Sequence, residues 1–258
     1  MNIIVFSKNR ACQLDLLLES FRGSKIEAPN KRVFYTFTSD DFKKGYLKVK
    51  AKYPEWQFDF QEKEIKDYLL GVLTSGLTMF LVDDNVFVEN CRLEYKLEML
   101  KREEKVLCIS LRLGKNISHD YMADKPMVVP EISSDGLLKW KGCDACWGYP
   151  MSLDGHIFRT EDIIPLIKKI DFNSPNELEW QLSLNPINKE YMICFESPVL
   201  TNLAINKVQT WNDNRHGSVP AEFLNAQYLV GKKIDLKDII GQKERFNSTH
   251  VEANIKLI

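Results

Sequence analysis

The sequence predicts an α/β protein in which a mainly parallel central sheet is flanked by helices. Two observations carry this. Short runs of apolar, β-branched and aromatic residues alternate with segments whose apolar residues recur three and four positions apart, the periods of strands and of amphipathic helices. Each early strand-like run also ends in a polar loop, the arrangement of open α/β sheets, where a ligand lies beyond the carboxyl ends of the strands. A chain of 258 residues, 44% hydrophobic and 28% charged, is long enough to build a substantial core of this class.

Residues 2–6 form the first strand run and lead into Ser7-Lys8-Asn9-Arg10. Leu14, Leu17, Leu18 and Phe21 then fall on one helix face over 12–22, and Gly23 ends it. Residues 32–37 read as a second strand ending in Thr38-Ser39-Asp40-Asp41. Phe42, Tyr46, Val49 and Tyr53 mark a second helix stopped by Pro54. A short strand at 56–60 precedes a third helix carrying Ile65, Leu69, Val72 and Leu73. The alternation implies right-handed crossovers through about residue 90. Beyond it, Leu93, Leu97 and Leu100 mark a helix, 106–113 a strand, and 114–148 a weakly periodic stretch. Residues 151–159 return as a strand, after which Thr160 caps a helix with Glu161 and Asp162 in its first turn. Ser174-Pro175-Asn176-Glu177 opens another helix with proline at its first position. Residues 191–206 look extended, and 219–230 look helical up to Gly231. No repeat or linker divides the chain, so the expectation is a single domain over 1–258, with a nucleotide-binding half (1–90) and an acceptor-binding half with C-terminal extension (91–258).

The pivotal stretch is Leu77-Thr-Met-Phe-Leu-Val82 followed by Asp83-Asp84-Asn85. The apolar run suits a strand buried on both faces. Two adjacent carboxylates at its mouth repel each other and are costly to desolvate. A hard divalent cation, Mg²⁺ or Mn²⁺, resolves that conflict; an ordinary polar turn is the alternative. Because consecutive strand residues point to opposite faces, Asp83 and Asn85 are expected, if the strand stays extended and the chain does not turn there, to approach such a cation together, directly or through water, with Asp84 turned toward ribose or sugar. The three polar loops should meet at one sheet edge. Ser7, Lys8 and Arg10 then serve phosphate or base, and Asp40 and Asp41 serve ribose hydroxyls or a base edge. That combination suits a nucleoside diphosphate. Neither G-x-G-x-x-G nor G-x-x-x-x-G-K-[ST] is present, which disfavours dinucleotide and P-loop sites.

A net charge of -1 argues against nucleic-acid binding by bulk charge. No apolar run approaches the length of a membrane span. The chain enters directly into Asn2-Ile-Ile-Val-Phe6, so no signal peptide is expected. Six cysteines without a small-domain framework read as reduced cytosolic thiols. Cys143-Asp-Ala-Cys146 lacks the second pair of a zinc site. Asn116-Ile-Ser118 and Asn247-Ser-Thr249 match glycosylation acceptors, which matters only in a secreted protein.

The strand ending in Ser7-Lys-Asn-Arg10 and the buried strand ending in Asp83-Asp-Asn85 resemble the GT-A-fold nucleotide-sugar glycosyltransferases. So do Ser110-Leu-Arg-Leu-Gly114, Trp147-Gly-Tyr-Pro150, Ser152-Leu-Asp-Gly-His156 and Pro175-Asn-Glu-Leu-Glu179, in the manner of bacterial transferases of polysaccharide assembly. The resemblance runs over roughly residues 2–230. It implies a single GT-A-like, Rossmann-like domain and Mn²⁺ or Mg²⁺ as cofactor, although some members work without metal. Asn85 stands where the family's motif usually has aspartate. Inverting members place a base near the start of a helix after the central motif. Glu177 and Glu179 are the candidates; Ser174-x-x-Glu177 reads as a capping box, which favours Glu179. A late histidine on the metal is implied at His216, with Arg215 on the diphosphate, both within Asn212-Asp-Asn-Arg-His-Gly217. Trp147 and Tyr149, beside Gly148, offer aromatic faces to a sugar, with core packing as the alternative. Asp154 joins the catalytic set through donor-sugar or acceptor hydroxyls, with the turn role of Asp-Gly as the alternative.

The implied function is transfer of a sugar from a nucleotide diphosphate donor, a UDP-sugar foremost, to a hydroxyl of a glycan or lipid-linked acceptor in surface-polysaccharide synthesis. The implied setting is cytoplasmic, at the inner face of a membrane, with no nucleic-acid partner. A non-catalytic sugar-nucleotide or glycan-binding protein on the same fold is the second reading. A metal-dependent nucleotidyltransferase is a third, weakened because no glycine-rich triphosphate loop follows the first strand.

Overall fold

The computed structural model describes residues 1–62, 64–209 and 214–258. In chain order the elements are β1 (Asn2–Lys8), α1 (Ala11–Gly23), β2 (Asn30–Thr36), α2 (Asp40–Lys52), β3 (Gln57–Phe60), α3 (Ile65–Val72), β4 (Leu77–Val82), β5 (Asn85–Phe87), α4 (Glu94–Arg102) and β6 (Val106–Gly114). Then follow β7 (His119–Asp120), β8 (Lys125–Pro126), β9 (Leu137–Lys139), a 3-10 turn (Ala145–Gly148), β10 (His156–Arg159), α5 (Thr160–Lys169), α6 (Pro175–Leu184), β11 (Tyr191–Phe195), β12 (Leu200–Leu203), α7 (Ala221–Leu229), α8 (Leu236–Gly241), a second 3-10 turn (Lys243–Arg245) and β13 (His250–Val251).

The main sheet has eight strands in the order β3-β2-β1-β4-β10-β6-β11-β9. Pairings β3–β2, β2–β1, β1–β4 and β6–β11 are parallel, whereas β10 is antiparallel to both β4 and β6. The expected mainly parallel sheet flanked by helices is therefore present, with β10 reversed at its centre and β9 reversed at its edge, antiparallel to β11. Strand alternation explains its two cores. Ile3 and Val5 of β1 and Met79 and Leu81 of β4 face a core shared with Leu14, Leu17 and Leu18 of α1 and Tyr46 and Val49 of α2. Ile4, Phe6 and Phe80 face the opposite core with Ile65 and Leu69 of α3, Ile163 and Ile167 of α5, and Leu178 and Leu182 of α6. Every one of these side chains is buried, as a sheet covered by helices on both faces requires.

A second, three-stranded sheet, β13-β12-β5, branches off where the chain turns after β4. Its central strand β12 carries Asn202, and the chain continues to Asn206, so the late part of the sequence lies over the carboxyl ends of β1 and β4. Among the described residues no helix is long and apolar enough to cross a membrane.

Candidate active site

Parallel pairing of β1 with β2 and β4 brings their carboxyl ends to one edge. Asn9, at a left-handed φ of 58°, ties two of the loops together. Its amide donates to Thr38 Oγ1 at 2.8 Å and accepts from the Thr38 backbone at 2.9 Å. After β4 the chain turns sharply. Asn85 Oδ1 accepts from Val82 N at 2.9 Å, which closes the turn and swings Asp83 and Asp84 toward the same side. The expectation that strand alternation separates them is thereby corrected: the chain is not extended there.

Asp83 is 4% exposed, and a carboxylate so placed needs donors. Its Oδ2 accepts from Ser7 Oγ at 2.9 Å and Lys8 N at 3.0 Å, and its Oδ1 pairs with Arg10 Nη1 at 3.1 Å. Burial pushes its pKa up, against the lowering pull of Arg10. The same Arg10 Nη1 lies 3.1 Å from Asp84 Oδ2. Arg10 is held from behind by Asn206, whose Oδ1 accepts from Nε at 2.9 Å and whose carbonyl accepts from Nη2. Gln13 donates to the same Asn206 Oδ1 at 3.0 Å.

A second polar cluster adjoins the first. Arg112, toward the carboxyl end of β6, pairs with Asp154 Oδ2 at 2.9 Å and donates to Ser152 Oγ at 3.1 Å and Asn202 Oδ1 at 3.2 Å. Asn202 in turn donates to Asp84 Oδ1 at 3.0 Å and to Asp154 Oδ2 at 2.7 Å. Asn85 Nδ2 donates to Asp154 Oδ1 at 2.6 Å. His156, buried beside Arg112, has its pKa pushed down to about 3 by burial and stays neutral.

The opposite wall is the start of α6. Ser174 Oγ accepts from Glu177 N at 3.2 Å, and Glu177 Oε2 accepts from Asn173 N at 2.7 Å. This is a variant of the capping box in which the carboxylate reaches one residue beyond the cap. Two residues on, Glu179 Oε1 accepts from Ser152 Oγ at 2.7 Å and Leu153 N at 3.0 Å. Burial raises the Glu179 carboxyl above the usual range, with Ser152 pulling the other way. Ser152 thus links the two clusters, donating to Glu179 while accepting from Arg112 and from Asp154 N at 3.1 Å.

Between these walls lies a cleft of about 800 Å³ lined by Ser7, Lys8, Arg10, Asp83, Asp84, Asp154, Glu177, Glu179, Arg215 and His216 among others. That size suits a small ligand or cofactor. Arg215, half-exposed, pairs with Asp124 at 2.8 Å and stacks over Tyr121 at 4.7 Å. His216 is exposed, its Nδ1 2.7 Å from the Gly217 carbonyl. Asn212 and Asp213 of the same expected loop lie outside the described residues.

Four expectations are corrected. Asn85 is fully buried with both ends of its amide engaged, so it does not face a cation beside Asp83. Asp40 and Asp41 sit in the exposed first turn of α2, Asp41 pairing with Lys44 at 2.8 Å, and neither lines the cleft. Trp147 is wholly buried, its indole donating to the Ile117 carbonyl at 3.1 Å, so its face belongs to the core. Tyr149 does not line the cleft, and a Cβ on Gly148 would meet the Cys143 carbonyl, so that glycine admits backbone and not sugar. Asp154 does line the cleft, with both oxygens already bonded within the network.

Arg112, Ser152 and Asn206 lie in segments that resemble the transferases but had no role assigned from the sequence, and Asn202 was not named. Arg112 carried a usable signal: an arginine inside the apolar run of a buried strand demands a buried carboxylate. The asparagines carried none, because the site groups they join are remote in the chain, Asp154 48 residues from Asn202 and Arg10 196 residues from Asn206.

The residues at Asp83–Asn85 do not fit a resident divalent ion. Each of the four carboxylate oxygens of Asp83 and Asp84 already has a donor, Asn85 points away, and among the described residues no group of three or more His, Cys, Asp or Glu is placed to hold a metal.

No model of a known protein family matches the chain. The bifunctional glycosyltransferase pgtA of Dictyostelium discoideum is 28% identical over 257 residues, covering 83% of this chain and 33% of that protein. The chain thus spans about a third of the length of the curated relative it matches. Among solved structures, S. aureus TarS 1-349 aligns over 75% of this chain and 60% of that one, with 14% identity and a TM-score of 0.46. A form in complex with UDP gives 75% and 60% coverage, 15% identity and 0.43. The mannosyltransferase PcManGT from Pyrobaculum calidifontis, in complex with GDP-Man and Mn²⁺, aligns over 45% of this chain and 35% of that one, with 12% identity and 0.33. The resemblance read from the motifs is met by a relative of the same description: over most of its length this chain is similar in sequence to a glycosyltransferase.

Proposed function

We propose that the chain is a glycosyltransferase that moves a sugar from a nucleotide diphosphate donor, a UDP-sugar foremost, to an acceptor hydroxyl in glycan assembly. One observation carries this: a single cleft sets the Asp83–Asp84–Arg10 cluster, at the carboxyl ends of two parallel strands, against the partly buried carboxylate of Glu179 at the start of α6. Residues 1–90 supply the nucleotide side, with Ser7 and Lys8 on the cleft wall. Residues 91–258 supply the acceptor side, and the whole forms one domain in this reading. The glycosyltransferase relative supports the same reaction class.

Glu179 serves as general base in an inverting transfer, taking the proton of the acceptor hydroxyl as that oxygen attacks the anomeric carbon. Its raised pKa suits the role, since a base works best near the operating pH. Ser152 and Leu153 N hold one carboxylate oxygen and so orient the group. Glu177, its carboxylate tied to the Asn173 backbone N–H, caps the helix. Asp154 positions Arg112, Asn85 and Asn202. Lys8 and Arg215 stabilise the departing diphosphate. The six free thiols support a reducing, cytoplasmic setting, at the inner membrane face where the acceptor is lipid-linked.

The test is incubation with labelled UDP-sugars and no acceptor. Slow release of free sugar with UDP is expected, and Glu179→Gln should suppress it. Tight donor binding with no turnover for any donor, with or without acceptor glycans, would instead place the chain among sugar-nucleotide binders.

A further inference from the structure

The Asp83–Asp84 pair has the composition of a cation site, yet one of the protein's own cations lies between its members. Arg10 Nη1 is 3.1 Å from Asp83 Oδ1 and 3.1 Å from Asp84 Oδ2. Of the guanidinium's five N–H groups, two meet this pair and two more meet Asn206 through Nε and Nη2. The group is 9% exposed and is anchored by a residue 196 positions away in the chain. The other two oxygens of the pair are held by Ser7 Oγ and Lys8 N and by Asn202 Nδ2. A divalent ion would have to come within about 2.0–2.2 Å of these oxygens. There it would displace fixed donors and sit against a like charge that does not deprotonate.

We propose that Arg10 is the permanent counter-cation of the Asp83–Asp84 pair and stands in place of a divalent ion, so that the cleft takes a nucleoside diphosphate without metal. This rests on the nucleotide reading above. Three facts argue for a built-in cation. The two carboxylates share one guanidinium nitrogen. Asn206 fixes the far side of that guanidinium. Asn85, the third residue of the motif, turns its amide to Asp154 and offers nothing to a metal. The pair then serves as a rigid floor that holds Arg10 and orders the Ser7–Arg10 loop, while Lys8 remains exposed at the cleft wall to meet phosphate.

The test uses the whole chain, Mn²⁺ and UDP. Free Mn²⁺ is followed by electron paramagnetic resonance with protein alone and with protein plus UDP. UDP affinity is measured by calorimetry with chelator and with Mn²⁺. For the wild type, the inference expects an unchanged Mn²⁺ signal without UDP, no uptake beyond that of UDP itself when it is present, and equal UDP affinity in the two conditions. Arg10→Ala should bind UDP at least about tenfold more weakly with chelator, regain that loss with Mn²⁺, and take up Mn²⁺ itself, the size of coupling usual between linked sites. Adding Asp83→Asn should abolish that uptake. Mn²⁺ uptake by the wild type that Asp83→Asn removes, or a tenfold gain in wild-type UDP affinity on adding Mn²⁺, overturns the inference. So does a folded Arg10→Ala with unchanged UDP affinity. If Arg10→Ala does not fold, the wild-type arms decide alone. If the wild type binds UDP in neither condition, the nucleotide reading fails, and the Mn²⁺ signal with protein alone still decides the metal question.

Discussion

Glu179 and Asn85 show how far a side chain's role depends on what meets it. Glu179→Gln keeps an acceptor for Ser152 and Leu153 N but cannot take a proton, so turnover should fall by about 10²–10⁴ with donor affinity little changed. Glu177→Gln should keep most activity; if it proves the dead variant, the assignment is reversed. Burial raises the Glu179 pKa, so the acid limb of kcat should lie above the ordinary glutamate value of about 4.3 and be absent from Glu179→Gln. The same shift sets a sign for stability. The folded carboxyl holds its proton more tightly than the unfolded one, so its contribution is full below the unfolded pKa and lost as the pH rises through the folded pKa. Thermal melts should find Glu179→Gln more stable than wild type at neutral pH, with the gap closing on acidification. Asn85→Asp, which from the motif alone looks like a repair of a metal site, should instead destabilise by about 3 kcal/mol or more. It replaces the donor at 2.6 Å from Asp154 Oδ1 with a buried carboxylate. A denaturant midpoint equal to wild type would refute that.

At the scale of elements, two junctions aim the site. The first turn of α6 is capped by Ser174, and Ser174→Ala should cost about 1 kcal/mol. Because the helix carries Glu179, kcat should fall further than KM changes. The turn between Asp154 and β10 depends on Gly155, whose φ is 70° and where a Cβ would meet Leu200 and Arg112. Gly155→Ala should cost about 1–3 kcal/mol and shift Asp154 off Arg112. Urea titration of both variants, with m unchanged, checks these values.

Across the whole molecule, residues far apart in sequence close the cleft. Asn206 accepts from Arg10 and Gln13 and donates to the Val219 carbonyl at 3.0 Å. Asn206→Ala leaves two buried donors without that acceptor and should cost about 2–4 kcal/mol, read as a lower denaturant midpoint. A loss within experimental error would mean that the late chain does not lock the early loop.

The sequence by itself determined the main strands and helices of the early half and their order, because hydrophobic period and capping residues act locally; the short strands after β4 and the elements after Gly231 carried too little period to be read. It was enough to read β1 through β4, the cap at Ser174, and the approach of the Ser7–Arg10 and Asp83–Asp84 loops, which parallel pairing makes unavoidable. The antiparallel insertion of β10 beside β4 was not readable, since strand direction depends on where the chain returns. Nor was the fate of individual polar groups. Asn85 faces Asp154, Trp147 fills the core, Asp40 and Asp41 stay at the surface, and Arg10 settles between two aspartates. For Asn85, Trp147 and Arg10 the outcome turns on partners 30 to 196 residues away, brought within hydrogen-bond reach only when the sheet closes. A buried charge accepts whichever counter-group the packed chain delivers to it, and that delivery is a property of the tertiary structure.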